Sequence, residues 1–289
     1  MEQVYYESLI GENAMPGLPV VYHPVHKTPP GVFAAAHWQD TAELIYVKRG
    51  AYRVIAGGVL RDISAGEGVL IRPRQIHTTI CPDMDDIELA VLKFAPGPFL
   101  PEEEAMRPVL QEGPAIWLPC GLSESNEIGK LLEKIEAEWK AGRPGWRTAV
   151  KSSISLILVC FYRLRVQTDR SPAAVDPGWN KQFYPVFRYL EEHFTEPVRT
   201  EKLLDLCHLS YSRFSVRFRL LTGFCLTEYV SRARIQLARK LLAESDMPVA
   251  EVAEKCGYLD ICYFERLFRR YVGCSPSQFR RTHVPCRKP

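Results

Sequence analysis

The stretch GYLDICYFERLFRRYVG, Gly257–Gly273, is where the fold of this chain becomes readable. A glycine opens it and another closes it. Phe264 and Phe268 stand four apart, so both fall on one side of an α-helix. Arg266, Arg269 and Arg270 form a basic cluster pointing away from them. Asp260, short and polar, stands where a helix N-cap belongs. Such a helix packs its aromatic side inward and offers its cationic side to something acidic.

The stretch has an earlier copy. Phe214 and Phe218 return fifty residues later as Phe264 and Phe268, Gly223 returns as Gly273, and Tyr229 as Phe279. Leu204, Cys207 and His208 return forty-nine residues later as Ala253, Cys256 and Gly257. A fixed period with a slip of one residue means two copies of one supersecondary unit. Each copy has a short apolar helix (KLLDLC, AEVAEKC), a tight turn, a capping Ser210 or Asp260, and a second helix with arginines outward. This is the pattern of a helix-turn-helix, whose second helix enters the DNA major groove by its N-terminal half.

The residues from Pro248 to Arg281 resemble the C-terminal signature of the AraC/XylS family of transcription regulators. Ala253, Gly257, Tyr258, Asp260, Tyr263, Phe264, Phe268, Arg269, Gly273, Ser275, Pro276, Phe279 and Arg280 match that signature in order and spacing. The first copy departs from it, with Leu204 at the small-residue position and His208 at the turn glycine. The resemblance implies two helix-turn-helix units joined by a long helix over about Leu226–Ala243. Base-reading residues are then expected at Tyr211, Ser212, Arg213, Val216 and Arg217 in the first unit. In the second they are Ile261, Cys262, Glu265 and Arg266. Arginine pairs with guanine and glutamate accepts from cytosine. Arg219, Arg232, Arg234, Arg269 and Arg270 are expected at phosphates.

The first hundred residues read as strands. Runs such as ELIYVKRG, YRVIAGGVL, GVLIRP and IELAVLKF are separated by Gly, Pro and Asp, the spacing of an antiparallel sandwich or barrel. His37, Gln39, Glu43 and Gly50 fit H-x-Q-x3-E-x6-G, and Gly66, Arg72, Arg74 and His77 fit G-x5-R-x-R-x2-H. These are similar to the two cupin motifs, and the AraC-type sensor is itself cupin-like. The resemblance implies an effector-binding barrel lined by His37, Trp38, Glu43, Tyr46, Arg72, Arg74 and His77, with Trp38 suited to stacking on a sugar or aromatic ring. In metal cupins the equivalent positions hold a divalent ion. Here His37, Glu43 and His77 alone could form a two-histidine, one-carboxylate triad, while Gln39 is a poor ligand. Structural polar residues at strand ends are the third reading. No cofactor is expected.

From Glu124 the period changes. Ile128, Leu131, Leu132, Ile135 and Trp139 mark an amphipathic helix, and a second helix over about Trp146–Val166 is apolar around much of its girth. That girth calls for several neighbours, and a second subunit would supply one. QTDRSPAAVDPG, Gln167–Gly178, reads as a linker. The expected organisation is α+β. A cupin-like domain spans 1–168, with its barrel at about 1–122 and paired helices at about 123–167. A linker follows at 169–180, and an all-α domain of two helix-turn-helix units spans 181–289.

Charge follows the same division. From Asn180 onward there are 19 Lys and Arg against 12 Asp and Glu, a net +7, which leaves −4 for the preceding residues. A polyanion partner is therefore expected for the C-terminal part alone. Nine cysteines without a CxxC pair read as reduced thiols; Cys256 and Cys262 form a candidate redox pair. The N-terminus lacks a basic segment followed by an apolar core, so no signal peptide is expected. The longest apolar run, Ile154–Tyr162, is nine residues, where a membrane span needs about 20. The expected protein is a cytoplasmic, non-enzymatic, homodimeric transcription regulator with no membrane partner. It would bind a double-stranded DNA operator and be controlled by a small effector such as a sugar. The competing class is a metal-dependent cupin enzyme with an accessory helical domain.

Overall fold

The computed structural model describes residues 13–26, 33–81, 87–111, 113–167 and 178–283. The N-terminal segment read for a signal peptide therefore lies largely outside the described residues, as does most of the expected linker.

Among the described residues the strand runs form nine strands in two antiparallel sheets. The larger sheet has the order β1 (Val20–His26), β8 (Glu88–Phe94), β3 (Ala42–Arg49), β6 (Gly68–Ile71), β9 (Ile116–Leu118). The smaller has β2 (Phe33–His37), β7 (His77–Ile80), β4 (Ala51–Ala56), β5 (Val59–Ser64). Among the described residues no ladder joins the two sheets, so the cupin-like region is an open sandwich rather than a closed barrel. Alternation along the strands sorts the side chains. From β3, Ile45 and Val47 face the smaller sheet in a core shared with Val54, Ile63, Val69 and Leu89. Leu44 and Tyr46 face the other way, into a core with Leu70, Leu92, Phe94 and the helices behind.

Those helices are α1 (Ser123–Ala141) and α2 (Trp146–Gln167). The period read from the sequence is the buried stripe of α1: Ile128, Leu131, Leu132 and Ile135. The broad apolar surface of α2 is filled within the chain. Val150, Ile154, Ile157, Leu158, Cys160, Phe161 and Leu164 are all buried in the same core. The girth of α2 thus has its neighbours in the larger sheet and α1, and no second subunit is needed to explain it. Leu156 and Val166 stay exposed.

The remainder is helical: α3 (Gly178–His193), α4 (Thr200–Cys207), α5 (Tyr211–Thr222), α6 (Leu226–Glu244), α7 (Val249–Lys255), α8 (Ile261–Val272) and α9 (Pro276–His283). The repeat is visible in its backbone hydrogen bonds. Leu209 N–H donates to the Leu204 carbonyl as Tyr258 N–H does to Ala253, and His208 N–H to Asp205 as Gly257 N–H does to Glu254. This pairing closes the C-terminus of α4 and of α7 in the same six-residue loop. Fifty residues apart, Gly223 and Gly273 donate to Arg219 and Arg269. The turn needs a left-handed residue, and His208 adopts it with φ 52° where the second copy has Gly257 at φ 81°. The second unit has its own core, built by Phe264, Leu267, Phe268 and Phe279 on Ile235, Ala238 and Leu242 of α6. The first unit shares its core with the sandwich: Ala36 and Ile76 pack among Phe183, Phe187, Phe214, Phe218 and Tyr229.

Candidate nucleic-acid interface and effector site

The second helix of each unit has one sealed side and one open side. In α5, Phe214 and Phe218 are buried, while Tyr211, Ser212, Arg213 and Val216 are exposed. In α8, Phe264, Leu267 and Phe268 are buried, while Ile261, Cys262, Glu265 and Arg266 are exposed. The start of α8 is fixed locally, since the Asp260 carboxylate accepts from the N–H groups of Cys262 and Tyr263. Ser210 makes no side-chain cap on α5. Arg217 departs from the other expected base-readers. It is half-buried, donates to Gln182 Oε1 at 2.6 Å and lies over the Trp179 ring, both on α3.

The expected phosphate ligands divide in the same way. Arg219, Arg269 and Arg270 are exposed. Arg232 and Arg234 are half-buried and have partners within the chain. Arg232 pairs with Glu228 at 3.1 Å and lies over the rings of Phe224 and Tyr271, which bridges the two units. Arg234 donates to the carbonyls of Phe194, Glu196 and Gly257. Its guanidinium is spent on carbonyls that the turns leave without partners. Of the candidate redox pair, Cys262 is exposed, whereas Cys256 is buried and its thiol is pushed up to about 12 by burial.

In the sandwich, the tertiary structure brings His37, Glu43 and His77 together from β2, β3 and β7. All three are buried, with their ligand atoms within 4.8 Å of one another. Glu43 Oε2 accepts from Gln39 at 2.7 Å and lies 3.2 Å from His77 Nε2. Each histidine directs Nδ1 at a backbone carbonyl, Ala35 for His37 and Gln75 for His77. The three side chains could hold a divalent cation. The Lys93 ammonium, 3.9 Å from Glu43, opposes one. Burial and the neighbouring His77 pull His37 down to about 4, so it is neutral at pH 7. Burial would raise Glu43, but the His77 hydrogen bond and charge outweigh it and hold the carboxyl below its ordinary range. Burial lowers Lys93 to about 8.

Four expected lining residues lie elsewhere. Trp38 stacks on Tyr184 of α3 at 4.4 Å, so its ring already has a partner. Tyr46 points to the helix side, its hydroxyl directed to the Ser125 carbonyl. Glu43 and Tyr46 are three apart on one strand and cannot share a face. Arg74 is exposed and paired with Asp40 at 2.8 Å. Arg72 is buried beside Gly113. The sequence reading missed Lys93, whose alternation with Leu89 and Val91 in IELAVLKF put it on the inner face; it sits opposite Glu43 in the ladder.

A sensor-type sandwich in series with two helix-turn-helix units defines a ligand-controlled DNA-binding transcription regulator. Residues 203–282 match a helix-turn-helix domain family, and residues 23–147 match the AraC-like ligand binding domain. The chain belongs to the AraC/XylS family of transcription regulators. It is 28% identical over 249 residues to the HTH-type transcriptional activator RhaS of Citrobacter koseri, covering 84% of this chain and 86% of that one. Over 92 residues, 32% of this chain and 30% of the other, it is 37% identical to the MmsAB operon regulatory protein of Pseudomonas aeruginosa. A crystal structure of ToxT from Vibrio cholerae aligns with 92% of this chain and 98% of its own at 13% identity and a TM-score of 0.47. Among the described residues no helix is long and apolar enough to cross a membrane.

Proposed function

We propose that this regulator reads its operator through the outward sides of α5 and α8. Tyr211, Ser212, Arg213 and Val216 face one major-groove segment; Ile261, Cys262, Glu265 and Arg266 face the next. Arg219, Arg269 and Arg270 grip phosphates, and Arg217 braces α3. The observation that carries this reading is that both helices are sealed on one side by aromatic side chains and open on the other. The test compares Arg266→Ala with Arg269→Ala on a library of duplex sites. Arg266→Ala should cost about 1–3 kcal/mol at one base position and relax specificity there. Arg269→Ala should weaken all sequences about equally and reduce the salt slope by about 1. The same effect from both changes would refute the assignment.

The effector site of this proposal is the inner cluster of His37, Glu43 and His77, joined by Lys93. Its donors and acceptors suit the hydroxyls of a polar molecule such as a sugar. The route to DNA is short. Ala36 packs in the core of the first helix-turn-helix while His37, the next residue, faces the inner cluster; Ile76 and His77 repeat the arrangement. A ligand that displaces β2 or β7 therefore changes the packing of α5 and α6, and its differential affinity for the two arrangements is the switch. The sensor region extends to about residue 168 and the DNA-binding region begins near 181. The protein works in the cytoplasm, where it meets DNA. Exposed Leu156 and Val166 of α2 are the surface we assign to a homodimer, and sedimentation of Leu156→Asp against the wild type tests it.

A further inference from the structure

The fifty-residue repeat puts different chemistry on the open sides of α5 and α8. Residues four apart fall in one line along a helix. On α5 the middle of the open side is the line Ser212, Val216 and Leu220, and on α8 it is Cys262, Arg266 and Arg270. Val216 is 59% exposed and Leu220 42%, where the later copy has two arginines. The Arg266 guanidinium is supported by the Tyr263 ring, 5.2 Å from its centroid. Arg213 and Arg219 lie three residues before and three after Val216, so they border its line on opposite flanks. No residue of α5 is acidic. An apolar line between two cationic borders is complementary to a groove with an apolar floor and phosphate walls.

We infer that Val216, extended by Leu220, reads thymine methyl groups, so that the two units read different bases: thymine under α5 and guanine under Arg266 of α8. The inference rests on the assignment of α5 and α8 as the DNA readers. In the major groove only thymine presents a methyl, at C5. A valine brought against it removes two apolar groups from water. Against the amino group of adenine or cytosine, or the O6 of guanine, the same valine would cover a polar edge and offer it no partner. Leu220 stands one turn further along, where a helix that enters by its N-terminal half is leaving the groove. Val216 therefore carries the larger share. The operator is asymmetric, with a thymine-containing segment under the first unit and a guanine-containing segment under the second.

The test starts from a duplex library with a randomised core, selected on the intact chain. The enriched duplex is then resynthesised with deoxyuridine in place of thymine, one position at a time, which removes the methyl and nothing else. Within one half of the site, affinity should fall about fourfold for each methyl that Val216 covers. The salt slope should not change, because no phosphate contact is lost. Val216→Ala should bind the thymine and deoxyuridine duplexes alike, while Val216→Ile should keep the difference. Both alter an exposed residue and should melt within about 2 °C of the wild type. Arg266→Ala should weaken both duplexes and keep their ratio. Equal affinity for thymine and deoxyuridine at every position would overturn the inference. So would an enriched set without a fixed thymine, a difference that survives in Val216→Ala, or one lost in Arg266→Ala. If the apolar line seated a second copy of this chain instead, Val216→Asp would change sedimentation and leave duplex affinity as it is, which would also overturn it. Binding to no duplex at all would overturn the assignment of α5 and α8 to DNA, and this inference with it. Fixed bases that ignore the methyl would overturn this inference alone.

Discussion

At the turn between the two helices of each unit, one residue decides how much strain the backbone carries. Gly257 takes φ 81° and lies so close to the Thr195 carbonyl that an added Cβ would collide with backbone. Gly257→Ala should therefore destabilise by more than about 2 kcal/mol, part from the left-handed conformation and part from the collision. His208 pays the conformational part already. His208→Gly should raise stability by about 0.5–1 kcal/mol, the relief of φ 52° less the entropy of the new glycine. Urea midpoints of both variants check the contrast. His37 sets a pH dependence. Folded, it titrates at about 4 against 6.5 for the free side chain. Between those values the unfolded chain binds a proton that the folded chain refuses. Stability is thus complete at pH 7 and falls as pH drops from about 6.5 towards 4, by about 3 kcal/mol in all. The lowered Glu43 adds loss at the acid end. Urea titrations in EDTA should show the fall, and His37→Gln should flatten its upper part.

Among the elements, β3 and β8 show how much of a site alternation can reveal. Glu43 and Lys93 are opposite partners on one face, and Tyr46 lies on the other. A period of two settles both points from sequence once the strands are drawn. Trp38 was not legible in this way. Its stacking on Tyr184 of α3 joins residues 146 positions apart in the chain, which no local pattern encodes. The metal question also belongs to this scale. Three ligand groups converge, but Lys93 stands beside the carboxylate. Dialysis against EDTA should leave the melting midpoint unchanged. A drop restored by iron or manganese would reinstate the metal-cupin reading.

On the scale of the whole molecule, the sandwich and the first helix-turn-helix share one core. Ala36 and Ile76 lie among the phenylalanines of α3 and α5, the Tyr229 hydroxyl reaches the Ala36 carbonyl at 3.4 Å, and the Tyr184 hydroxyl donates to the Arg74 carbonyl. Regions that share a core unfold together. The wild type should melt in one calorimetric transition. Trp38→Ala removes the stacked ring without touching α8, and should split the transition in two. A single transition at lower temperature in that variant would mean that the coupling does not run through this contact.

The two helix-turn-helix units, their turns, the Asp260 cap and the outward face of α8 were determined by the chain itself, because they depend on residues close together in sequence. The strand runs and the stripe of α1 belong with them, since hydrophobic period is local. Which arginines remain exposed was decided by the tertiary structure. Arg232 and Arg234 look like Arg269 in sequence, yet their partners come from the turn after α3, from the Gly257 turn and from Tyr271 of the other unit. The fate of the girth of α2 and the burial of Arg72 were decided the same way. Burial and pairing depend on which distant segments meet, and only the packed chain fixes that.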